Sequence, residues 1–187
     1  MAEYWQDRML RSQRKIADKS IKQIELQLRK YYLAASKKCI TDFEAVYEKI
    51  LNTQAAGKEI TPADLYKLDK YWIAQANMRE ELLKLGDRQI LLLSKSFEAN
   101  WFDFYYSTVI PSIKDSPYHN VDKGAVKQMI NRIWCADGKS WSDRVWKNTE
   151  ALTEMLNNEL INCVATGKKT TELKNLLQER FAVSYGR

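Results

Sequence analysis

One long stretch without glycine or proline decides the fold, and it runs from residue 3 to residue 54: EYWQDRMLRSQRKIADKSIKQIELQLRKYYLAASKKCITDFEAVYEKILNTQ. Apolar residues recur in it at spacings of three and four, which is the pattern of an amphipathic helix. At 1.5 Å per residue the stretch would make a rod of roughly 75 Å. Helices of this length usually pair with other helices, as in a coiled coil, or extend between two bodies. We therefore expect a single N-terminal helix that Gly57 ends.

The rest of the chain also favours helices. Six glycines and three prolines in 187 residues lie well below the roughly 12% of average proteins, which argues against a turn-rich β-sandwich or barrel. We expect an all-α protein without significant β-structure. Glycine, proline and capping residues predict further helices at 62–86, 87–110 and 123–134. Ser140 or Ser142 is expected to cap a long helix that ends near residue 166, and Thr170 or Thr171 to cap a last helix that runs through Phe181.

Two parts are expected in the chain. Residues 1–56 form a long basic helical arm, and residues 57–187 form a helical body. The arm is predicted to leave the body and to extend beyond it.

The scarcity of histidine and the spacing of the cysteines exclude several classes of protein. His119 is the single histidine, so zinc and iron sites built on several imidazoles are excluded. Cys39, Cys135 and Cys163 lie far apart and are odd in number, which indicates a reducing compartment. We expect no metal, no cofactor and an intracellular protein without a secretory signal.

Neither a membrane span nor an active site is predicted. The most apolar stretch, 90–110, is broken by charged residues, so we expect no membrane partner: Lys95, Glu98, Asp103. Cys135 and His119 lack a third residue to orient a catalytic base. Glu80 and Glu81 are adjacent, so their side chains diverge by about 100° along a helix. No phosphate-binding glycine loop occurs. We predict no catalytic residues and no enzyme.

All of the net charge lies near the N-terminus. Residues 1–40 hold ten basic and four acidic residues, which equals the net charge of +6 of the whole chain. Seven of the basic residues share a helix face about 100° wide, and we call them the basic stripe: Arg8, Arg11, Lys15, Lys19, Lys22, Arg29 and Lys30. A row of cations can follow phosphates without reading bases. An acidic protein surface would be an equally suitable partner for the stripe. The stripe would otherwise be an ordinary solvent-exposed helix face without a partner.

Two groups of aromatic residues are expected to have different roles. The run Trp101-Phe102-Asp103-Phe104-Tyr105-Tyr106 has the chemistry to stack on bases. Consecutive residues point all around a helix, so we expect most of these rings to be buried between helices. Tyr4 and Trp5 lie outside the expected core and are predicted to anchor the arm on a partner, because Trp and Tyr dominate interface hot spots.

The C-terminal third carries a recognisable pattern. It combines a Trp141-Ser-Asp-Arg144-Val-Trp146 helix, a Gly167-Lys-Lys break and a last helix that ends near Phe181. In physical terms this is a capped amphipathic helical hairpin, with Arg144 placed to brace the two tryptophans through cation–π contacts. Together with the N-terminal Tyr4-Trp5 and the long basic helix, the pattern resembles the minor head proteins of tailed phages, the head-morphogenesis family similar to protein F of phage Mu.

The resemblance is most specific over 134–187 and diffuse over 1–133. It implies a structural component of the virion head interior, made in the host cytoplasm, that contacts the portal protein, other head proteins and packaged DNA. It assigns Trp141, Arg144 and Trp146 to packing of the shared domain. The family usually continues into an Arg-Thr-Glu segment, so we expect a longer native chain. A non-specific DNA-binding protein that uses the basic arm is the alternative, and an enzyme ranks last.

Overall fold

The computed structural model describes residues 2–56, 61–109, 121–133 and 136–186. These residues form six α-helices and no strand, which confirms the all-α prediction. The helices are α1 (Ala2–Ala55), α2 (Pro62–Leu65), α3 (Asp69–Phe104), α4 (Lys123–Ile130), α5 (Trp141–Thr166) and α6 (Thr170–Tyr185). A π-helical turn at Tyr105–Val109 extends α3. The predicted helix ends at Gly57, Pro111 and Trp134 lie outside the described residues.

Local capping signals are confirmed at Asp122, Ser140 and Gly167. The predicted threonine cap of the last helix is wrong, because that helix begins at Thr170 after Lys169 and has no side-chain cap hydrogen bond. Asp122 caps α4 by accepting a hydrogen bond of 2.7 Å from the Gly124 N–H. Ser140 and Asp143 form a reciprocal pair at the start of α5: the Ser140 N–H donates to the carboxylate, and the Asp143 N–H donates to the hydroxyl. Gly167 ends α5 with a φ of 62°, a left-handed conformation that favours glycine.

The predicted helix boundary at Gly86 is wrong. The helix that begins at Pro62 ends at Leu65, and α3 then continues from Asp69 through Gly86 to Phe104. Gly86 is buried against the indole ring of Trp146 on α5, where a Cβ atom would meet ring carbons. Glycine is therefore required at this position by a close helix contact and not by a change of backbone direction.

The chain forms two compact units, each made of two separate segments. The first unit contains residues 1–28 and 89–143, and the second contains residues 29–88 and 144–187. Both α1 and α3 therefore contribute residues to both units. In the first unit, Val126 and Ile130 of α4 are buried, and the rings of Phe97 and Trp141 meet edge to face with centroids 5.6 Å apart.

The second unit holds a core of aliphatic and aromatic side chains from five helices, with α2 contributing Leu65. Its fully buried members include Phe43, Tyr47 and Ile50 of α1, Met78 and Leu82 of α3, Leu152, Leu156 and Leu160 of α5, and Leu173 and Leu177 of α6. The Tyr47 hydroxyl donates to the carbonyls of Cys163 and Lys168, next to the turn at Gly167. This contact ties α1 to the end of α5.

The arm predicted at 1–56 differs from the structure in its second half. Residues 29–55 of α1 lie in the second unit and supply part of its core. The physical reason is the concentration of large apolar residues after Tyr31, which need other helices to cover them. Half of the expected arm is thus a core helix.

Candidate anion-binding surface

The basic stripe lies on α1, and all seven of its side chains are exposed. Because α1 is continuous, their spacing places them on a face about 100° wide. The five residues from Arg8 to Lys22 belong to the first unit, whereas Arg29 and Lys30 belong to the second. The predicted stripe is therefore divided between the two units.

Ion pairs leave much of the stripe's charge uncompensated. Arg11 Nη2 lies 3.9 Å from Asp7 Oδ2, and both side chains are largely exposed, so the pair contributes little. Within the described parts of the chain, Lys15, Lys19 and Lys22 form no ion pair. These lysines keep their positive charge available to a ligand.

Two of the stripe lysines line a groove of the first unit. The groove has a volume of about 400 Å³ and runs between α1 and the second half of α3. We call it the α1–α3 groove. From α1 it is lined by Lys15, Ile16, Lys19, Ser20 and Gln23, and from α3 by Lys95, Ser96, Ala99, Asn100 and Asp103. Its walls are thus mostly cationic or hydrogen-bonding.

A second groove of the first unit adjoins the same part of α3. Its volume is about 480 Å³, and we call it the aromatic groove. It is lined by Lys95, Glu98, Ala99, Phe102 and Tyr106, and by Lys123 at the start of α4. Lys95 and Ala99 line both grooves. The small side chain of Ala99 leaves Lys95 as the large group between them.

The charges of the two grooves are mainly positive. Four lysines line them, against the two carboxylates of Glu98 and Asp103. All four lysine side chains are exposed, so no desolvation cost opposes their charge: Lys15, Lys19, Lys95, Lys123. The arrangement can hold phosphate groups on either side of Lys95.

The prediction that most rings of the run at 101–106 are buried in a core is wrong. Trp101, Phe102, Phe104 and Tyr105 are half-buried, and Tyr106 is 49% exposed. The rings stack in near-parallel pairs along α3, Trp101 on Tyr105 at 5.1 Å and Phe102 on Tyr106 at 6.1 Å. Rings that point all around a helix find covering helices on only some sides.

The predicted N-terminal anchor is described only in part. Tyr4 lies on α1 with 65% of its surface exposed. The side chain of Trp5 lies outside the described residues. The anchoring role of both residues remains a prediction.

The residues of the C-terminal motif do not share one environment. Trp141 packs against Phe97 in the first unit, and Trp146 packs against Gly86 in the second. Arg144 is exposed at the start of α5. Both tryptophans make packing contacts, while their role in a shared family domain and the cation–π brace remain predictions.

The carboxylates considered for acid–base chemistry are engaged in ion pairs. Lys84 Nζ lies 2.5 Å from Glu80 Oε1 and 3.1 Å from Glu81 Oε1, and Lys38 Nζ lies 2.6 Å from Glu81 Oε1. The hydrogen bond from Lys84 lowers the pKa of Glu80, and the one from Lys38 is the main cause of the lowered pKa of Glu81. Both groups are therefore ionised near neutral pH.

The cysteines give no sign of an activated nucleophile among the described residues. Burial raises the pKa of the Cys39 thiol to about 12 and also raises the pKa of Cys163. Cys135 and His119 lie outside the described residues. In the parts of the chain that are described, no three metal-ligating side chains converge.

Sequence reasoning missed the α3 side of the surface. In the sequence, Lys95 is only a charge that interrupts an apolar stretch, and Lys123 is only the first residue of a short helix. The available signal is the spacing of Lys95, Phe102 and Tyr106, which are seven and four residues apart and so fall on one face of a helix. Nothing local in the sequence indicated that Lys15 and Lys19 would line a groove with Lys95.

Among the described residues, no helix combines the length and the apolar character needed to cross a membrane. No known family model, curated protein or solved structure matches the chain.

Proposed function

We propose that this chain is a structural minor head protein of a tailed phage that attaches at the portal inside the head and contacts packaged DNA. The observation that carries the proposal is the exposed basic stripe on a 54-residue helix. The resemblance of residues 134–187 to the head-morphogenesis family supports the same role. The virion head interior, after assembly in the host cytoplasm, is the location that fits it.

A structural role fits the chemistry of the described residues better than catalysis does. The adjacent carboxylates Glu80 and Glu81 are held by lysines, and the thiol of Cys39 is buried. The pKa values of both carboxyls are lowered and that of the thiol is raised, so each is shifted away from the neutral range in which a general acid or a nucleophile works. These properties support a role that the protein performs through its surfaces.

Capture by the portal protein tests the proposal. The untagged chain is mixed with a tagged portal protein from the same genome at about 0.15 M and at about 0.5 M salt, because salt separates charge-driven from apolar contacts. We expect capture at the lower salt. Changing Arg8, Arg11, Lys15, Lys19 and Lys22 to Glu should abolish it.

A matched variant controls for net charge. Changing five exposed lysines outside the stripe to Glu alters the net charge equally and should leave capture intact: Lys49, Lys70, Lys127, Lys139 and Lys147. Circular dichroism of each variant shows whether the helices are retained. Capture that survives the reversal of the stripe would refute the role given to it, and failure of the unmodified chain to be captured would refute direct attachment to the portal.

The α1–α3 groove favours one alternative, a non-specific DNA-binding protein without a portal partner. Lys15, Lys19 and Lys95 line this groove and present cations that can contact phosphates whatever the base sequence. Binding to duplex DNA that weakens steeply with salt, in a chain that the portal does not capture, would favour this alternative.

A further inference from the structure

We propose that the α1–α3 groove and the aromatic groove together form a binding site for single-stranded nucleic acid, in which lysines hold phosphates and the Phe102–Tyr106 pair stacks on bases. The site shares Lys15 and Lys19 with the basic stripe and does not depend on attachment to the portal.

Lys95 joins the two grooves into one path. It lines both of them, together with Ala99. The α1 side offers Lys15 and Lys19, and the far side offers Lys123. A nucleic-acid backbone that crosses from one groove to the other at Ala99 would therefore meet Lys15 and Lys19 first, then Lys95, and finally Lys123. Such a row of cations follows a phosphate backbone by displacing its counterions.

The aromatic groove supplies rings on which bases can stack, which a site made only of charged groups would lack. Phe102 and Tyr106 line it, and their rings lie within 15° of parallel, with centroids 6.1 Å apart. Tyr106 is 49% exposed, so one ring of the pair is open to a ligand. Stacking on exposed aromatic rings beside a cationic groove is how proteins bind single strands without sequence preference.

The pairing of rings with lysines favours a single strand over the other polyanions. In a duplex the bases are already stacked on each other, so Phe102 and Tyr106 would contribute nothing to its binding. An acidic protein segment would use the lysines but has no flat bases for the rings. The α1–α3 groove also offers polar side chains that can hydrogen-bond to sugars or base edges: Ser20, Gln23, Ser96 and Asn100.

Fluorescence anisotropy with the full chain tests the site. The probes are a labelled oligo-thymidylate of about 20 nucleotides, a length that exceeds one site on a typical single-strand binder, and a duplex of the same length. Changing Lys15, Lys19 and Lys95 to Gln should make single-strand binding less dependent on salt. The negative slope of log affinity against log salt should become shallower by about 2. Changing Phe102 and Tyr106 to Ala should weaken single-strand binding about fivefold or more and leave duplex binding unchanged.

Matched variants separate the site from general charge and from folding. Changing Lys127, Lys139 and Lys147 to Gln removes the same charge from exposed positions outside both grooves, and Leu91→Ala trims an exposed apolar side chain of α3. Neither change should alter single-strand binding. Circular dichroism verifies that each variant keeps its helices.

Three results would overturn the proposal. One is equal salt slopes for the two lysine-to-Gln triple variants. Another is unchanged single-strand binding after loss of Phe102 and Tyr106. The third is displacement of the oligonucleotide by poly-glutamate as readily as by unlabelled oligonucleotide, which would assign the grooves to an acidic protein. Portal capture of the Phe102/Tyr106 variant, measured in parallel, keeps this result separate from the role proposed at the portal.

Discussion

Gly86 of α3 lies directly against the indole ring of Trp146 of α5, so that a Cβ atom at Gly86 would come within 2.5 Å of ring carbon Cζ3. Both residues belong to the second unit. The contact involves a tryptophan that the sequence pattern singles out and a glycine that the pattern treats as the end of a helix.

Gly86→Ala should destabilise the protein, although alanine favours helices by about 1 kcal/mol over glycine. The added methyl group meets a packed ring, and overpacking of this kind costs about 1–3 kcal/mol. Urea unfolding measures the loss. Gly186→Ala is the matched control, since a Cβ there has no neighbour closer than 3.7 Å. In a Trp146→Ala background, Gly86→Ala should cause a smaller loss in the free energy of unfolding than it does in the unmodified protein. An equal loss in the two backgrounds would contradict the contact between Gly86 and Trp146.

Tyr47→Phe should lower the free energy of unfolding by about 1 kcal/mol, because the hydroxyl's hydrogen bonds at the end of α5 are lost while the Cys163 carbonyl keeps the Lys168 N–H as a donor. The hydroxyl donates to Cys163 O at 2.9 Å and also to Lys168 O. Chemical denaturation measures the change. Tyr31→Phe is the control, since the Tyr31 hydroxyl has no hydrogen bond within the described residues. Equal stability of the Tyr47 variant and the unmodified protein would show that the turn at Gly167 holds without this bond.

Burial raises the pKa of Tyr47 to about 12 from an ordinary value of 10.0. The folded protein therefore keeps this proton more tightly than the unfolded chain does. The resulting stabilisation is complete below pH 10 and is lost as the pH rises toward 12. Tyr47→Phe should flatten the dependence of stability on pH in this alkaline range, which thermal melts across the range would show.

Glu81 should stabilise the protein only while it is ionised. Lys38 lowers its pKa below the ordinary 4.5 through a hydrogen bond, with a smaller contribution from Lys84. A lowered folded pKa means that the stabilisation is present above 4.5 and is lost as the pH falls below that value. Glu81→Gln should therefore lower the urea midpoint at about pH 7 more than at about pH 3.

The matched control for Glu81→Gln is Glu150→Gln, an exposed carboxylate with no ion pair among the described residues. Its change should have little effect at either pH. The role of Glu81 would be refuted if the two variants showed the same dependence on pH.

Cys39 and Cys163 should resist alkylation in the native protein. Both thiols are buried and both have raised pKa values, so little thiolate forms at neutral or mildly alkaline pH. Iodoacetamide labelling followed by peptide mass spectrometry measures each site. Labelling should rise steeply in urea. Rapid labelling of Cys39 in native buffer would contradict its burial.

The two halves of the basic stripe should differ in their contribution to single-strand binding. Changing Lys15 and Lys19 to Gln removes the same charge as changing Arg29 and Lys30 to Gln. Only the first pair lines the α1–α3 groove with Lys95, so it should cause the larger loss of affinity for oligo-thymidylate. Equal losses would assign binding to the whole stripe and not to the groove.

Local signals in the sequence predict local structure well. Asp122, Ser140 and Gly167 act as the expected helix ends, because a cap or a left-handed turn depends on only a few neighbouring residues. The absence of breakers over 3–54 likewise predicts a helix that spans Ala2–Ala55. The all-α class follows from the same scarcity of glycine and proline.

Signals that depend on distant residues were read incorrectly or missed. The role of Gly86 depends on Trp146, sixty residues away in the chain. The partition of α1 depends on which helices cover Tyr47 and Phe43. The candidate site depends on Lys95 lying across a groove from Lys15.

The sequence by itself determined that this chain is all-α, where α2, α4 and α5 begin and which face of α1 carries the positive charge. These properties follow from backbone hydrogen bonding and side-chain spacing within one helix. Only the tertiary structure decided that the second half of α1 is core and that Lys15 and Lys19 share a groove with Lys95. The reason is that burial of apolar faces selects which helices pack together, and this choice is made by side chains far apart in the chain.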